Sequence, residues 1–133
     1  MPGKHTYMIV VGVIQHDERV LLLRRSTDRR FAPGKWEFVS GYPEARESCE
    51  EAMIREVREE TGLQGSLIRG GPAYEVDGDG ALWVIKPFLV RADAETVTLN
   101  AEHTEYRWLR PKEVVSYDAV DDNIKNLEAF GLV

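Results

Sequence analysis

A chain of 133 residues has room for one domain around one core and too little for two. Its 17 basic and 23 acidic side chains leave a net charge of -6, which argues against generic nucleic-acid binding through a basic face and means that an anionic substrate needs a local reversal of sign. The apolar runs 8–14 and 20–23 are too short to cross a bilayer, no signal peptide precedes them, and the lone Cys49 cannot form an internal disulfide, so a cytoplasmic protein without a membrane partner is expected.

Residues 7–14 are β-branched and apolar and predict a strand. The polar turn His16-Asp17-Glu18 joins it through a link of three or four residues to a second strand over 19–25, as in a hairpin. Residues 26–35 form a polar loop broken by Pro33 and Gly34, with Phe31 in it as a candidate for contacting a base. Gly41 and Pro43 punctuate the next turn. Ser48 followed by Glu51 has the pattern of a capping box, and Gly62 is a stop signal, so a helix is predicted over 48–61. On its wheel Cys49, Met53, Ile54 and Val57 share one arc, while Glu56, Glu59 and Glu60 occupy the adjoining one and border the buried face. Cys49, beside Met53, reads as a small core residue and not as a nucleophile.

Beyond the helix, 65–74 predicts a weak strand interrupted by Gly70, Gly71 and Pro72. Asp77-Gly78-Asp79-Gly80 is the clearest turn in the chain; it lacks the ligand spacing and closing glutamate of a calcium loop. A long strand follows over 81–92, in which Pro87 predicts an edge or a bulge. Residues 93–102 read as an acidic loop, the second half of 102–109 alternates like a strand, 111–114 makes a helical turn, and 121–130 a closing helix with Ile124, Leu127 and Phe130 inward. The order strand, strand, helix, strands, helix predicts an α/β fold in which helices flank a mixed sheet.

Three glutamates at i, i+3 and i+4 repel one another, and two of them lie in the last turn, where the helix dipole disfavours negative charge. A Glu-rich helix is often just a solvated surface. A divalent cation among these carboxylates would instead turn the liability into a site.

Gly41, five residues, Glu47, seven residues, then Arg55-Glu56-Val57-Arg58-Glu59-Glu60-Thr61-Gly62-Leu63 resembles the Nudix box of the nucleoside diphosphate-linked hydrolases, with every fixed position filled. The strand carrying Arg24 and Arg25, and Trp36-Glu37-Phe38 ahead of the loop, also look like that family. Val39 and Ser40 stand where a proline and a glycine are usual, and Arg46 where a glycine often is.

The resemblance implies a single Nudix domain over 1–133, folded as an α/β/α sandwich with a central mixed β-sheet. It implies Mg²⁺, with Mn²⁺ able to substitute, held by Glu56, Glu59 and Glu60 with Glu105 and the Ser40 carbonyl. The catalytic set is then Glu59 and Glu56, which come first as general base ahead of a glutamate outside the helix such as Glu105, and Arg55, which orients them through Glu47. Gly41, Glu47 and Gly62 shape the box. Arg25 is the candidate for gripping a phosphate, with Arg24 on the opposite side of its strand. Phe31, Trp83, Asn123 and Tyr74 are candidates for the nucleoside. The implied reaction is cleavage of a pyrophosphate bond in a small-molecule nucleotide, first of all a nucleoside or deoxynucleoside triphosphate, including an oxidised one, to monophosphate and pyrophosphate. Dinucleoside polyphosphates and ADP-ribose are alternatives, and a non-catalytic nucleotide- or RNA-binding module is an alternative of another class. Monomer and homodimer both remain open.

Overall fold

The computed structural model describes residues 5–119 and 123–133. Strands β1 (His5–His16) and β2 (Arg19–Arg25) form the first hairpin. Pairing reaches His16 opposite Arg19, so the link is two residues and shorter than expected. Asp17 and Glu18 have φ of 49° and 64°, the left-handed pair that a tight hairpin needs. β1 lies in the middle of a mixed sheet. It runs parallel to β7 (Ala81–Ala92) from His5 opposite Ala81 to Gln15 opposite Arg91, and antiparallel to β4 (Val39–Gly41). β2 pairs antiparallel with β3 (Trp36–Glu37) and with β8 (His103–Leu109), while β5 (Gly65–Gly70) and β6 (Tyr74–Gly78) line the far side of β7.

Pro87 is neither on an edge nor at a bulge, because β7 is an inner strand. It falls in the gap between β5, whose pairing ends at Gly70 opposite Phe88, and β6, whose pairing begins at Tyr74 opposite Ile85. Its carbonyl accepts from Gly71 N–H at 2.9 Å, so its missing N–H faces the same break in the ladder.

Alternation along β1 and β2 sends neighbouring side chains to opposite cores. On one face Val10, Ile14, Leu21 and Leu23 meet Met53 and Val57 of α1 (Cys49–Thr61). On the other, Val11, Val13, Val20 and Leu22 meet Val114 of the 3-10 helix Pro111–Ser116 and Leu127 of α2 (Asn123–Glu128). The closing helix is shorter than the stretch 121–130, and Asp121 and Asp122 lie outside the described residues. Leu127 and Phe130 are buried as expected, but Ile124 faces outward. Among the described residues no helix is long and apolar enough to cross a membrane.

Candidate active site

Local chemistry sets the ends of α1. Ser48 Oγ accepts from Glu51 N–H and Glu51 Oε1 from Ser48 N–H, both at 3.0 Å, and Gly62 closes the helix with φ 72°. Within it Arg55 is the organising cation. Nε–H and one Nη2–H grip both oxygens of Glu47 at 2.8 and 2.9 Å, Nη1 donates to Glu56 at 2.9 Å and Glu59 at 3.1 Å, and Nη2 also donates to the Tyr42 carbonyl at 3.0 Å. A guanidinium has about five N–H donors, so none is left for a substrate. Arg55 therefore stands as a positioning residue and not as a member of the reacting set. Its hydrogen bonds, with one from Glu44 N–H, pull the Glu47 carboxyl down to about 2. Glu56 lies against the backbone of Gly41, where an added Cβ would come within 2.2 Å of its carboxyl carbon, which only glycine avoids. Ser40 precedes that glycine on β4, so its carbonyl belongs to the strand packed beneath the helix. Arg46, in the place of the more usual glycine, takes the left-handed conformation at φ 67°.

Glu60 does not border the buried face; it is part of it, 2% exposed. Burial above all, then hydrogen bonding and charge from Glu56 and the charges of Glu102 and Glu37, push its carboxyl up to about 11. Beside it lies His103, whose side chain is 1% exposed. Its Nε2–H donates to Glu37 Oε2 at 2.7 Å, Glu37 Oε1 accepts from Arg25 Nη1 at 2.8 Å, and Arg25 Nε donates to the Phe31 carbonyl at 2.8 Å. Burial opposes ionisation of Glu37, but the His103 and Arg25 contacts outweigh it and hold the carboxyl below its ordinary range. Among the described residues His103 Nδ1 has no hydrogen-bond partner, and it sits 3.8 Å from Glu60 Oε1. Donor atoms of Glu60, Glu102 and His103 all lie within 4.8 Å of one another.

The box helix, the glycine under Glu56 and the arginine clasp agree with the family model for the NUDIX domain, which matches residues 4–130. The chain belongs to the Nudix family. Nucleoside triphosphatase NudI of Escherichia coli O139:H28 (strain E24377A / ETEC) is 33% identical over 136 residues, covering 94% of this chain and 96% of that protein. A crystal structure of a MutT protein from Methanosarcina mazei Go1 superposes with a TM-score of 0.83 at 26% identity, covering 98% of this chain and 96% of the other. The solution structure of the E. coli ORF135 protein does so at 0.76 and 27%, covering 96% and 89%. The α/β Nudix fold and a Nudix pyrophosphohydrolase follow for this chain.

In this Nudix chain Glu105 does not face the box helix. Tyr106 and Trp108 of β8 pack on the α1 core, so Glu105 takes the opposite face, where it accepts from Arg24 at 2.9 Å and Arg107 at 3.3 Å. Glu102, immediately before β8, lies beside Glu60 instead. Arg25 is likewise not placed to grip a phosphate: it is 7% exposed and tied to Glu37 and Phe31. Arg24 does lie on the other face, as expected. Phe31 is 70% exposed on the loop, with the Arg25 guanidinium 5.4 Å from its ring centre. Asn123 is buried and donates to the Trp36 carbonyl at 3.3 Å, and Tyr74 donates to Asn126 at 2.8 Å; both tie α2 to the sheet. Trp83 is the sequence candidate that adjoins the box. It stacks on Tyr7 at 4.5 Å, and Tyr42, whose carbonyl binds Arg55, is 6.5 Å from both rings.

The donors fit a divalent cation. Glu60 and Glu102 would supply carboxylate oxygens, with Glu56 hydrogen-bonded to Glu60, and the buried Nδ1 of His103, unpartnered among the described residues, lies within 4.8 Å of the oxygens of Glu60 and Glu102. A second acidic group, His16 with Asp17 and Glu95, is largely exposed and has no such orphaned atom. Glu37, Glu102 and His103 escaped the sequence reading. The alternation in the second half of 102–109 predicts a later start than the observed one at His103, which makes Glu102 the acidic residue immediately ahead of β8.

Proposed function

We propose that this enzyme hydrolyses a nucleoside or deoxynucleoside triphosphate, oxidised forms included, to the monophosphate and pyrophosphate, and that it needs Mg²⁺, which Mn²⁺ can replace. The observation carrying this reading is the arginine clasp that holds Glu56 and Glu59 on the helix that carries the buried Glu60, with the exposed Glu102 beside Glu60. The similarity to a protein named as a nucleoside triphosphatase supports the substrate class. When bound, a divalent cation neutralises phosphate oxygens and lowers the pKa of a bound water. The chain's own groups do the rest. Arg55 fixes Glu56 and Glu59 in place. Glu59, with its side chain 53% exposed, has the open approach a general base needs and accepts the proton of the attacking water. The Tyr7, Tyr42 and Trp83 rings give the base an apolar surface, with Tyr42 linking it to the box. Residues 1–133 act as one cytoplasmic Nudix domain on a free nucleotide, as monomer or homodimer.

A panel of nucleoside triphosphates, dinucleoside polyphosphates and ADP-ribose, assayed with and without Mg²⁺ for pyrophosphate and for phosphate, tests the reading. Cation-dependent pyrophosphate release from a triphosphate is expected, and its loss by about 100-fold or more in Glu59→Gln with the fold unchanged. Full activity in that variant would falsify the role of Glu59.

A further inference from the structure

We propose that His103 is itself a ligand of the divalent cation, its Nδ1 joining Glu60 and Glu102, and that this nitrogen shifts the preference of the site from Mg²⁺ toward Mn²⁺, Co²⁺ and Zn²⁺. The proposal rests on the functional reading above, because it concerns the same site. Three observations carry it.

The first is the unpaired atom. Nδ1 belongs to a side chain 1% exposed, and no hydrogen-bond partner among the described residues reaches it. Buried polar atoms normally have a partner, and an exception calls for one that is absent from the protein itself. The second is spacing. Ligand atoms about 2.1 Å from one ion lie about 3 Å apart when cis and about 4 Å apart when trans. Nδ1 is 3.8 Å from Glu60 Oε1, and Glu102 offers an oxygen within 4.8 Å of both. That separation is too long for a hydrogen bond and suits a shared ion.

The third is the partner on the far side of the ring. Nε2–H donates to Glu37 at 2.7 Å, which leaves the Nδ1 lone pair facing the carboxylates. Glu37 is held by Arg25 at 2.8 Å and lies 3.6 Å from Arg29. A carboxylate that fixes the tautomer and orientation of an imidazole in this way is the usual support of a metal-bound histidine. Arg25, buried in the strand, thus acts through Glu37 and His103 as a positioning residue. Mg²⁺ favours an all-oxygen shell, whereas imidazole nitrogen suits softer transition ions.

The test uses the full chain freed of metal, then given one equivalent of Mn²⁺ without nucleotide. Pulsed EPR reads nitrogen nuclei coupled to the manganese, in natural-abundance protein and in protein carrying ¹⁵N-histidine. A coupling that changes isotope with the labelled histidine, persists in the double variant His5→Gln with His16→Gln, and disappears in His103→Gln is the expected result. No histidine coupling in the wild type, or coupling that survives in His103→Gln, overturns the proposal. Should His103→Gln fail to fold, the labelled wild type and the double variant still decide. In titrations the Mn²⁺ affinity of His103→Gln should fall about tenfold or more and that of Mg²⁺ much less; equal losses for both ions contradict the selectivity. Missing nitrogen coupling alongside intact cation-dependent pyrophosphate release defeats this proposal alone. Turnover that ignores the cation defeats the functional reading beneath it.

Discussion

Replacing Glu60 with glutamine should stabilise the metal-free protein at neutral pH. Free glutamate titrates at 4.5, and burial with the neighbouring acids moves Glu60 to about 11. The folded chain must then keep a proton that the unfolded chain releases. The associated stability is fully present below 4.5 and is lost as pH rises from there through the folded value of about 11. The loss runs at about 1.4 kcal/mol per pH unit, so about 3 kcal/mol has gone by neutrality, a figure that requires only that the folded value lie above 7. Glutamine has the same shape, can donate to Glu56 as protonated Glu60 does, and does not titrate. Urea unfolding in EDTA at two pH values reads the difference. The variant should exceed the wild type by about 3 kcal/mol near pH 7 and match it near 4.5. Saturating Mn²⁺ should reverse the order, because a cation that binds only the folded wild type stabilises it through its carboxylate. A difference independent of pH, or a variant less stable than wild type in EDTA at neutrality, would refute the view that this carboxyl is a liability without a cation.

Gly41→Ala should lower kcat about 100-fold with little change in melting temperature, since the new methyl group displaces Glu56 by about an ångström; steady-state kinetics beside a thermal melt will show whether it does. Glu102→Gln should weaken Mn²⁺ binding at least about tenfold while Glu105→Gln leaves it unchanged, read by calorimetric titration. The opposite ranking would return Glu105 to the site. Arg46→Gly should raise unfolding free energy by about 1 kcal/mol, because a residue with φ 67° gives way to one that adopts that conformation without steric cost. Denaturant midpoints of the two proteins measure it.

What could be read from the sequence was what neighbouring residues decide. The ends of α1 depend on Ser48, Glu51 and Gly62 acting within a few residues, and both were legible. The turn at Asp79-Gly80 was legible for the same reason, both residues having left-handed φ. The clasp of Arg55 on Glu47 was implied by the resemblance to the Nudix box, whose positions lie along one helix and its entry loop. Errors arose wherever a distant partner decides. Glu105 was the expected acid ahead of the strand, but pairing with β2 carries β8 back to His103, which puts Glu105 on the face away from α1. Arg25 looked free at a strand end, yet a register shift at Arg24 and Arg25 accompanies its union with Glu37, which no local pattern announces. Glu60 was placed at the margin of the buried arc, and only packing of α1 on the sheet shows it enclosed.

A crystal grown with Mn²⁺, with anomalous scattering recorded at the manganese edge, bears most directly on the claim that these acids are gathered around a cation. The account predicts an anomalous peak bounded by carboxylate oxygens of Glu56, Glu60 and Glu102, with Glu60 drawn toward it. A peak confined to the exposed His16, Asp17 and Glu95 group, or Glu60 enclosed and cation-free at saturating manganese, would contradict it.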